Sequence, residues 1–446
     1  MDEVMKTRLL AARSQLVSHL HEGIMPFWTA RGADPVYGGY LVCYDDQGNL
    51  MEDETDKHIV TQTRMIWGFS LFNMIDPENP QYREAARQGV DFFIDHFWDA
   101  EHGGWNWLVK RDGTLLDDGK VVYGQSFAIY VLATYYLSTG DERGLDYAER
   151  TFDLLQRYCV DTARGGYYEN LEPGWQLSPG GFCAGDRKSL DIHMHLLECF
   201  TVLAQASGKE IHKRRLQEVI DIILTHMIDP ESGCGGNQYD LDFNPIPAIA
   251  IRRTFNADRE GGSVEVPTDT TSYGHNVELA WLLVRAGEIL GKPRDTYGPV
   301  VRRLVDHALA FGLDHARGGV YRDGPHHGPA LVTDKEFWQN AEVLVGFLDS
   351  FEITGEERYA EAFLLTWDFV RKHLIHSRLG EWMTLVSETG EVLVPGIGTP
   401  WKACYHSGRA VYEAIRRLDM ILGVPGNAAP QCGSLKIATK PSVGST

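Results

Sequence analysis

The sequence has no long hydrophobic run. Its 446 residues include no stretch of about 18 or more uncharged apolar residues, so a membrane-spanning helix is not expected. The N-terminal segment carries charges throughout and lacks the basic, apolar and small-residue order of a signal peptide. We therefore predict a cytoplasmic protein without a membrane partner.

Paired cysteines are also missing. The seven cysteines are odd in number and widely spaced, and no Cys-x-x-Cys sequence occurs. This pattern argues against a disulfide framework and against a thiolate zinc site, and it fits free thiols in a reducing compartment. The sequence also lacks an HExxH motif, so no metal site is predicted.

Positive charge is scarce as well. The 42 Lys and Arg residues are outnumbered by 62 Asp and Glu residues, which gives a formal net charge of −20. A surface this negative repels phosphate backbones, so nucleic acid is not expected as a partner. The charge mildly disfavours a large polyanionic substrate but does not identify the substrate.

The chain contains an internal repeat, a Gly-Gly pair preceded by an acidic residue. Glycine permits the positive φ of a tight turn, and the acidic side chain can accept hydrogen bonds from backbone amides there. Repeats at this spacing are typical of helical arrays. The copies begin at Asp34, Asp99, Asp161, Asp229 and Asp314, and a degenerate sixth copy runs from His376 to Gly380.

Amphipathic segments alternate with short polar connections between these copies, which predicts two helices per repeat over six repeats. One pair cannot bury its apolar face alone, so six pairs favour closure into a ring; an open solenoid is the alternative. The predicted helices lie near residues 5–28, 57–75, 80–97, 122–137, 142–158, 186–206, 210–227, 273–290, 294–311, 335–353, 356–373 and 402–421.

Two segments depart from the repeat. Residues 237–270 form an insertion rich in Pro, Gly and β-branched residues, which we interpret as a long loop or a small strand pair that serves a site. Residues 425–446 have too little apolar content to pack, so a flexible tail is expected. The prediction is one domain over residues 1–424.

The segment KSLDIHMHLLECF carries two histidines near the start of a predicted inner helix. His193 and His195 are two positions apart and point in different directions, so they cannot bind a metal together. Asp191 and His195 are four positions apart and share a face. They are either candidate site residues or a capped, exposed pair.

Two further histidines also lie near the starts of predicted inner helices. His275 and Glu278 share a helix face, and a carboxylate beside an imidazole suits a general base or one half of a metal site. His406 follows Trp401 and precedes Arg409, which makes a pocket position plausible.

Arg64 stands within an otherwise apolar helix, where an unpaired arginine is costly to bury. It can form an ion pair with Glu278 or Glu342, or it can stabilise a substrate oxyanion. Tryptophans add flat surfaces that can belong to the core or stack on the apolar side of a pyranose ring: Trp338, Trp382 and Trp401.

Five strings occur in the order and at the spacing of one family: VYGQSFAIY, KSLDIHMHLLE, SYGHNVELAWLL, EFWQNAEVLVGF and PWKACYHSGRA. On these strings the chain resembles the N-acylglucosamine 2-epimerase superfamily over residues 5–421, and within it the cellobiose 2-epimerase branch. The resemblance implies an all-α fold, an (α/α)6 barrel of six helix pairs with Gly-Gly loops and a long inserted loop.

The resemblance also implies roles for individual residues. His275 and His406 would be the acid/base pair, His195 would assist ring opening, Arg64 would hold substrate oxygens and Glu278 would support His275. Substrate-pocket positions would be Tyr123, Trp338, Glu342, Trp382 and Trp401. Asp191 would also be a substrate-pocket position. The sequence departs from the branch in two ways: it has Asp191 where the branch usually has Asn, and its 237–270 insertion is longer than usual.

The implied reaction is inversion of C2 in a reducing-end aldose through a cis-enediolate, with a small mono- or disaccharide as the partner. No cofactor is required, because the proton removed is next to a carbonyl. The alternatives are an aldose–ketose isomerase such as a mannose isomerase, a glycoside hydrolase on the same barrel, and a non-catalytic sugar-binding protein. A monomer or a homodimer is expected.

Overall fold

The computed structural model describes residues 1–249, 251, 253 and 267–424, and this part of the chain contains thirteen α-helices. Their bounds are α1 Glu3–His19, α2 Met25–Arg31, α3 Ile59–Ile75, α4 Pro80–Phe97, α5 Val122–Thr139, α6 Glu142–Tyr158, α7 Leu190–Ser207, α8 Glu210–Ile222, α9 Tyr273–Ile289, α10 Gly298–His307, α11 Phe337–Thr354, α12 Glu357–Phe369 and α13 Tyr405–Leu422. All twelve predicted helical segments are confirmed. A π-helical turn at residues 20–24 divides the first one into α1 and α2.

Burial divides the helices into an inner and an outer layer. In α5, every residue from Val122 to Tyr135 is buried, whereas the following α6 buries a single stripe of residues. Such a stripe is typical of a helix with one face in solvent, and burial on all sides is typical of a core helix. The inner helices are α3, α5, α7, α9, α11 and α13.

The inner helices form a closed ring. Each one contacts the next, and α13 contacts α3. The outer helices α4, α6, α8, α10 and α12 each pack against the inner helix that precedes them, while α1 packs against α13. The sixth pair therefore joins the first and last helices of the chain. This closure confirms the (α/α)6 barrel and excludes the open solenoid.

Short antiparallel strands lie at the N-terminal ends of the inner helices. Within the described residues they form five small sheets, ordered β1-β2-β3, β4-β5, β6-β7-β8, β10-β9 and β11-β12-β13. Their bounds are β1 Lys57–His58, β2 Leu108–Val109, β3 Leu115–Asp117, β4 Lys120–Val121, β5 Asn170–Leu171, β6 Arg187–Ser189, β7 Gln238–Asp240, β8 Pro245–Ile246, β9 Thr270–Ser272, β10 Asp323–Pro325, β11 Lys335–Glu336, β12 Leu385–Val386 and β13 Val392–Val394.

The inserted segment begins as predicted. Its first part forms the β7–β8 hairpin, and β7 pairs with β6 just before α7. Residues 250, 252 and 254–266 of the insertion lie outside the described residues, as does the predicted tail at 425–446. In the described part of the chain, no helix is long and apolar enough to cross a membrane.

The Gly-Gly pairs form the turns between one outer helix and the next repeat. Gly38 and Gly39 have φ angles of 79° and 63°, a region that side-chain-bearing residues rarely adopt. A Cβ on Gly39 would also stand 2.7 Å from Oε1 of Gln62. The leading acid acts as expected, since Asp34 accepts a hydrogen bond from the backbone N–H of Val36 at 3.1 Å.

A buried lysine, which the sequence analysis missed, fixes these turns. Lys57 donates to Oδ2 of Asp34 at 3.0 Å and to the carbonyl of Gly38 at 2.6 Å. Burial lowers the pKa of Lys57, although Asp34 offsets part of that effect. The equivalent pairs are Lys120–Asp99, Lys188–Asp161, Lys335–Asp314 and Lys402–Glu381.

Candidate active site

A pocket opens at the N-terminal ends of the inner helices, where the five small sheets also lie. Nine of the eleven predicted site residues line it: Arg64, Tyr123, Asp191, His195, His275, Glu278, Trp338, Trp401 and His406. Glu336, Phe337, Thr384, Thr399 and Lys402 complete the lining. Each inner helix contributes at least one of these side chains, so the closed ring assembles the site.

His406, near the start of α13, is held by a carboxylate. Its Nδ1 lies 2.7 Å from Oε1 of Glu342, which is fully buried on α11. Burial lowers the pKa of His406 well below its usual range, and the positive charges of Arg64 and Arg409 lower it further. His406 is therefore neutral near pH 7. The Nδ1–H donates to Glu342, which leaves Nε2 as the basic nitrogen.

His195 on α7 has a raised pKa, in contrast to the lowered pKa of His406. Its Nδ1 lies 3.0 Å from Oε2 of Glu198, and its Nε2 lies 3.3 Å from Oδ1 of Asp191. Burial alone would lower the pKa of His195, but hydrogen bonds to Asp191 and Glu198 outweigh it and raise the pKa to about 10. His195 is therefore an imidazolium ion near pH 7.

His275 on α9 faces the same carboxylate. Its Nε2 lies 3.6 Å from Oδ1 of Asp191. The ring of Trp338 is a neighbour of both predicted acid/base groups, 4.6 Å from the ring of His275 and 5.8 Å from the ring of His406. The two imidazoles therefore share one indole as a contact in the pocket.

Arg409, three residues after His406, is a functional residue that the sequence analysis did not select. Its guanidinium donates to Glu278 at 2.5 Å, lies 2.7 Å from Glu342 and also donates to Glu198. Residues three apart share a helix face, so the spacing in YHSGR was a usable signal. Glu278, predicted to support His275, is held by this arginine.

Glu198, Glu278 and Glu342 all lie against the single guanidinium group of Arg409. Burial raises the pKa of Glu278, and the nearby negative charge of Glu342 raises it further. Ligand atoms of Glu278, Glu342 and His406 come within 4.8 Å of one another, a spacing that a metal ion can use. Arg409 bonds to both Glu278 and Glu342, so a metal ion at this place would have to compete with its guanidinium.

An ion pair with Glu278 or Glu342 was one of two options for Arg64, and the structure shows other partners for it. Its guanidinium donates to the hydroxyl of Tyr123 at 3.1 Å and to the backbone carbonyl of Trp401. Burial raises the pKa of Tyr123, which keeps its hydroxyl protonated. Arg64 therefore joins two walls of the pocket while keeping its positive charge at the cavity.

Two predicted substrate-pocket residues lie outside the lining. Trp382 is fully buried, and its indole N–H donates to Nε2 of His19 at 2.8 Å. Glu342 lies beneath the pocket floor, where it contacts His406 and accepts from the indole of Trp281 at 3.1 Å. Both side chains are buried next to the pocket rather than in its lining, and residue type alone does not indicate that burial.

The fold and the pocket together define an (α/α)6 barrel with imidazole acid/base groups and aromatic walls at one end. The chain belongs to the N-acylglucosamine 2-epimerase family, whose model matches residues 39–410. It is accordingly an isomerase of the epimerase type.

Similar proteins agree with this assignment. The chain is 28% identical to a cellobiose 2-epimerase of Bacteroides fragilis, over 93% of this chain and all of the relative. It is 24% identical to a D-mannose isomerase of Marinomonas mediterranea, over 92% and 98% of the two chains. The solved structure of a cellobiose 2-epimerase from Spirochaeta thermophila superposes with a TM-score of 0.82 at 30% identity, covering 94% of this chain and all of that one.

Proposed function

We propose that the protein inverts C2 of a neutral reducing-end aldose, either a disaccharide of the cellobiose or mannobiose type or glucose and mannose. The observation that carries this proposal is the pair of imidazoles, His275 and His406, that line one pocket and both contact Trp338, with a basic Nε2 on His406. The similar proteins described above are named as sugar epimerases or isomerases, which supports the same class of reaction for this protein.

The chemistry follows from the protonation states. A protonated His195 donates its proton to the ring oxygen as the C1–O5 bond breaks, and the resulting neutral imidazole takes up the proton of the anomeric hydroxyl, which becomes the aldehyde oxygen. The neutral Nε2 of His406 then removes the C2 proton, and the electron pair moves to the carbonyl oxygen to give a cis-enediolate. Arg64 and the Tyr123 hydroxyl stabilise that oxyanion.

The second half of the reaction needs a proton donor on the other face. After rotation about the C2–C3 bond, His275 returns a proton to C2 and the inverted aldehyde closes. The N-terminal ends of the inner helices add partial positive charge where the oxyanion develops. Running the reaction backwards exchanges the roles of His275 and His406.

The charges of the pocket favour a neutral sugar over a sugar phosphate. Arg64 is engaged by Tyr123 and Trp401, and Lys402 donates to Glu381 and to the Ile397 carbonyl. The lining also carries the acids Asp191, Glu278 and Glu336. A phosphate would meet these carboxylates, and no cation among the described lining residues is reserved for it, so a 6-phosphate is expected to be a poor substrate.

Aldose–ketose isomerisation is the second candidate, because the same enediolate gives a ketose when the proton returns to C1. The similarity to a D-mannose isomerase favours keeping it. A glycoside hydrolase would need a free carboxylate pair. Glu342 already bonds to His406, Trp281 and Arg409, which argues against that role.

The experiment is to incubate the purified protein with cellobiose, mannobiose, glucose, mannose and mannose 6-phosphate and to identify products by ¹³C NMR. C2 epimers from the neutral sugars support the proposal. Ketoses assign the protein as an isomerase, and free glucose from cellobiose assigns it as a hydrolase. His406→Asn should remove the activity, whereas His193→Gln should retain it.

His193→Gln is a suitable control because His193 has a structural role in the same helix. Its Nε2 accepts from the backbone N–H of Tyr167 at 3.1 Å. Gln62 and Gln125 accept from the equivalent N–H groups in two other repeats, those of Tyr40 and Trp105. Glutamine therefore already makes the equivalent hydrogen bond in two other repeats of this fold.

A further inference from the structure

We propose that Asp191 is a positioning residue that holds His195 and His275 in forms protonated at Nε2, so that both face the pocket as proton donors. The inference rests on the proposed function for its catalytic meaning, but the protonation states it assigns can be measured without any substrate.

One carboxylate oxygen of Asp191 lies near the Nε2 atoms of both His195 and His275. Asp191 lies in the first turn of α7, and its Oδ1 is 3.3 Å from Nε2 of His195 and 3.6 Å from Nε2 of His275. An ionised carboxylate only accepts hydrogen bonds. Each nitrogen that faces it is therefore favoured in its N–H form.

For His195 the geometry requires a positive charge. A carboxylate stands at each end of the ring, with Glu198 at Nδ1 and Asp191 at Nε2. A neutral imidazole has a single N–H and can satisfy one of them only, whereas the imidazolium ion satisfies both. The raised pKa of His195, about 10, agrees with this geometry.

For His275 the same carboxylate lies at ion-pair distance, 3.6 Å from Nε2, and its negative charge favours a form with hydrogen on that nitrogen. This is the reverse of His406, whose Nδ1–H points to Glu342 and whose Nε2 is left without hydrogen. Across the pocket, one imidazole therefore begins as a donor and the other as an acceptor. Two-base inversion needs that asymmetry, since two donors or two acceptors cannot pass a proton through C2.

Other charged and titratable groups face this cluster from every neighbouring helix. Glu198 lies on α7 itself, Tyr123 on α5 stands with its ring 5.0 Å from that of His195, and Arg64 on α3 donates to Tyr123. Glu278 on α9 and Tyr405, His406 and Arg409 on α13 complete the set, with Arg409 and Tyr405 bonded to Glu198.

Among the carboxylates of this cluster, Asp191 and Glu278 both line the cavity, and Asp191 is the more exposed of the two. Its side chain is 21% exposed, while Glu198 is almost fully buried and tied to Arg409. Asparagine is the uncharged side chain of the same shape. An amide offers a donor as well as an acceptor and has no charge, so it does not force a hydrogen onto either imidazole.

The test compares Asp191→Asn, which keeps the shape and removes the charge, with Asp191→Glu, which keeps the charge. Asp186→Asn is the matched control, because it removes an exposed carboxylate from the same loop, where its partner is Arg187. Histidine ¹⁵N spectra of each full-length protein are recorded against pH, with the His195 signal assigned by its loss in His195→Asn.

We expect His195 to remain an imidazolium ion at pH 8 in the unmodified protein, in Asp191→Glu and in Asp186→Asn. In Asp191→Asn its titration should move at least about one pH unit towards acid, since an opposite charge at this distance typically has that effect. The alkaline limb of kcat/KM should move by the same amount, with KM for the neutral aldose changed less than kcat.

A His195 that is neutral at pH 7 in the unmodified protein, or a titration that Asp191→Asn leaves in place, would overturn the assignment. Failure of the proposed function looks different. In that case no neutral aldose gives a C2 epimer with the unmodified protein, and the ¹⁵N titration still decides the role of Asp191.

Discussion

His406 carries the chemistry through its neutral state. Above its pKa the imidazole can accept the C2 proton, and as the pH falls through that pKa the base is lost. Burial and the charges of Arg64 and Arg409 lower the pKa of His406, so the loss occurs at more acidic pH than for an ordinary histidine. His195 acts in the opposite sense, because the reaction needs it protonated.

The pH profile of kcat/KM is therefore expected to be bell-shaped and broad. The acid limb, set by His406, should lie below pH 6.5, and the alkaline limb, set by His195, should lie near pH 10. Initial rates of C2 inversion between pH 4 and 11 measure both limbs. A profile with an acid limb at or above pH 6.5 would contradict the assignment of His406 as the neutral base.

Arg409 is expected to be essential for stability. It is the shared partner of Glu198, Glu278 and Glu342, and removing one partner of a buried ion pair leaves uncompensated charge that costs about 3–5 kcal/mol. Arg409→Leu should lower the free energy of unfolding in urea by about that much. Arg302→Leu, which breaks an exposed pair with Glu356, should cost about 1 kcal/mol or less. Equal losses would refute the role of Arg409.

The sequence predicted the residues of the pocket better than their partners. Histidines near helix starts could be selected because imidazole is the usual acid/base group and the ring brings helix ends together. Which carboxylate meets which imidazole depends on contacts between different helices. Asp191 and His275, for example, lie on α7 and α9, and no local spacing joins them.

At the scale of elements, five of the six repeats in the described residues are fixed by a buried ion pair between an acid of the turn and a lysine just before the next inner helix. Lys188, just before α7, has no exposed side-chain surface and donates to Asp161, to the Gly165 carbonyl and to the Leu241 carbonyl. One ammonium group thus ties together the Gly-Gly turn, the strand and the neighbouring hairpin. In the described part of the fourth repeat, Thr271 takes this place and donates to the Gly235 carbonyl at 2.6 Å.

Lys188→Met is expected to destabilise the protein by about 3–5 kcal/mol, because the carboxylate of Asp161 loses its buried partner. Lys209→Met is the control, since Lys209 is 56% exposed and its pair with Glu149 contributes about 1 kcal/mol or less. Urea midpoints of the two variants give the comparison. A Lys188→Met protein as stable as Lys209→Met would show that the ion pair is not structural.

Helix positions were predictable because hydrophobic periodicity and the Gly-Gly turns mark them. The strands were not, since most are two or three residues long and exist only through pairing with a hairpin from the next repeat. Segment 186–206 illustrates this difference. It was predicted as one helix, but residues 187–189 pair with β7 and the helix begins at Leu190.

For the whole molecule, the ring depends on contact between the two ends of the chain. Helix α1 buries Leu9 and Leu16 against the barrel and packs on α13, the helix that carries His406. An ion pair between Arg13 and Asp419 joins the same two helices. Because closure orders α13, the stability of the first helix and the geometry of the active site are expected to be coupled.

Leu9→Ala should therefore cost about 2–5 kcal/mol, the usual effect of emptying a buried leucine site. Leu10→Ala, one residue further and 41% exposed, should cost little. Far-ultraviolet circular dichroism and tryptophan fluorescence should show coincident urea transitions for Leu9→Ala. Separate transitions would show that α1 unfolds alone and that the ring is not one cooperative unit.

The central claim is that a proton leaves and returns at C2. The most direct test is to incubate the protein with the neutral aldose it converts in D₂O and to follow the C2 position by ¹H NMR. If the proposed C2 inversion is right, we expect deuterium at C2 of the epimeric product and retention of the C1 proton. His406→Asn should stop the exchange. Inversion with no deuterium at C2, or exchange that persists in His406→Asn at the unmodified rate, would contradict it.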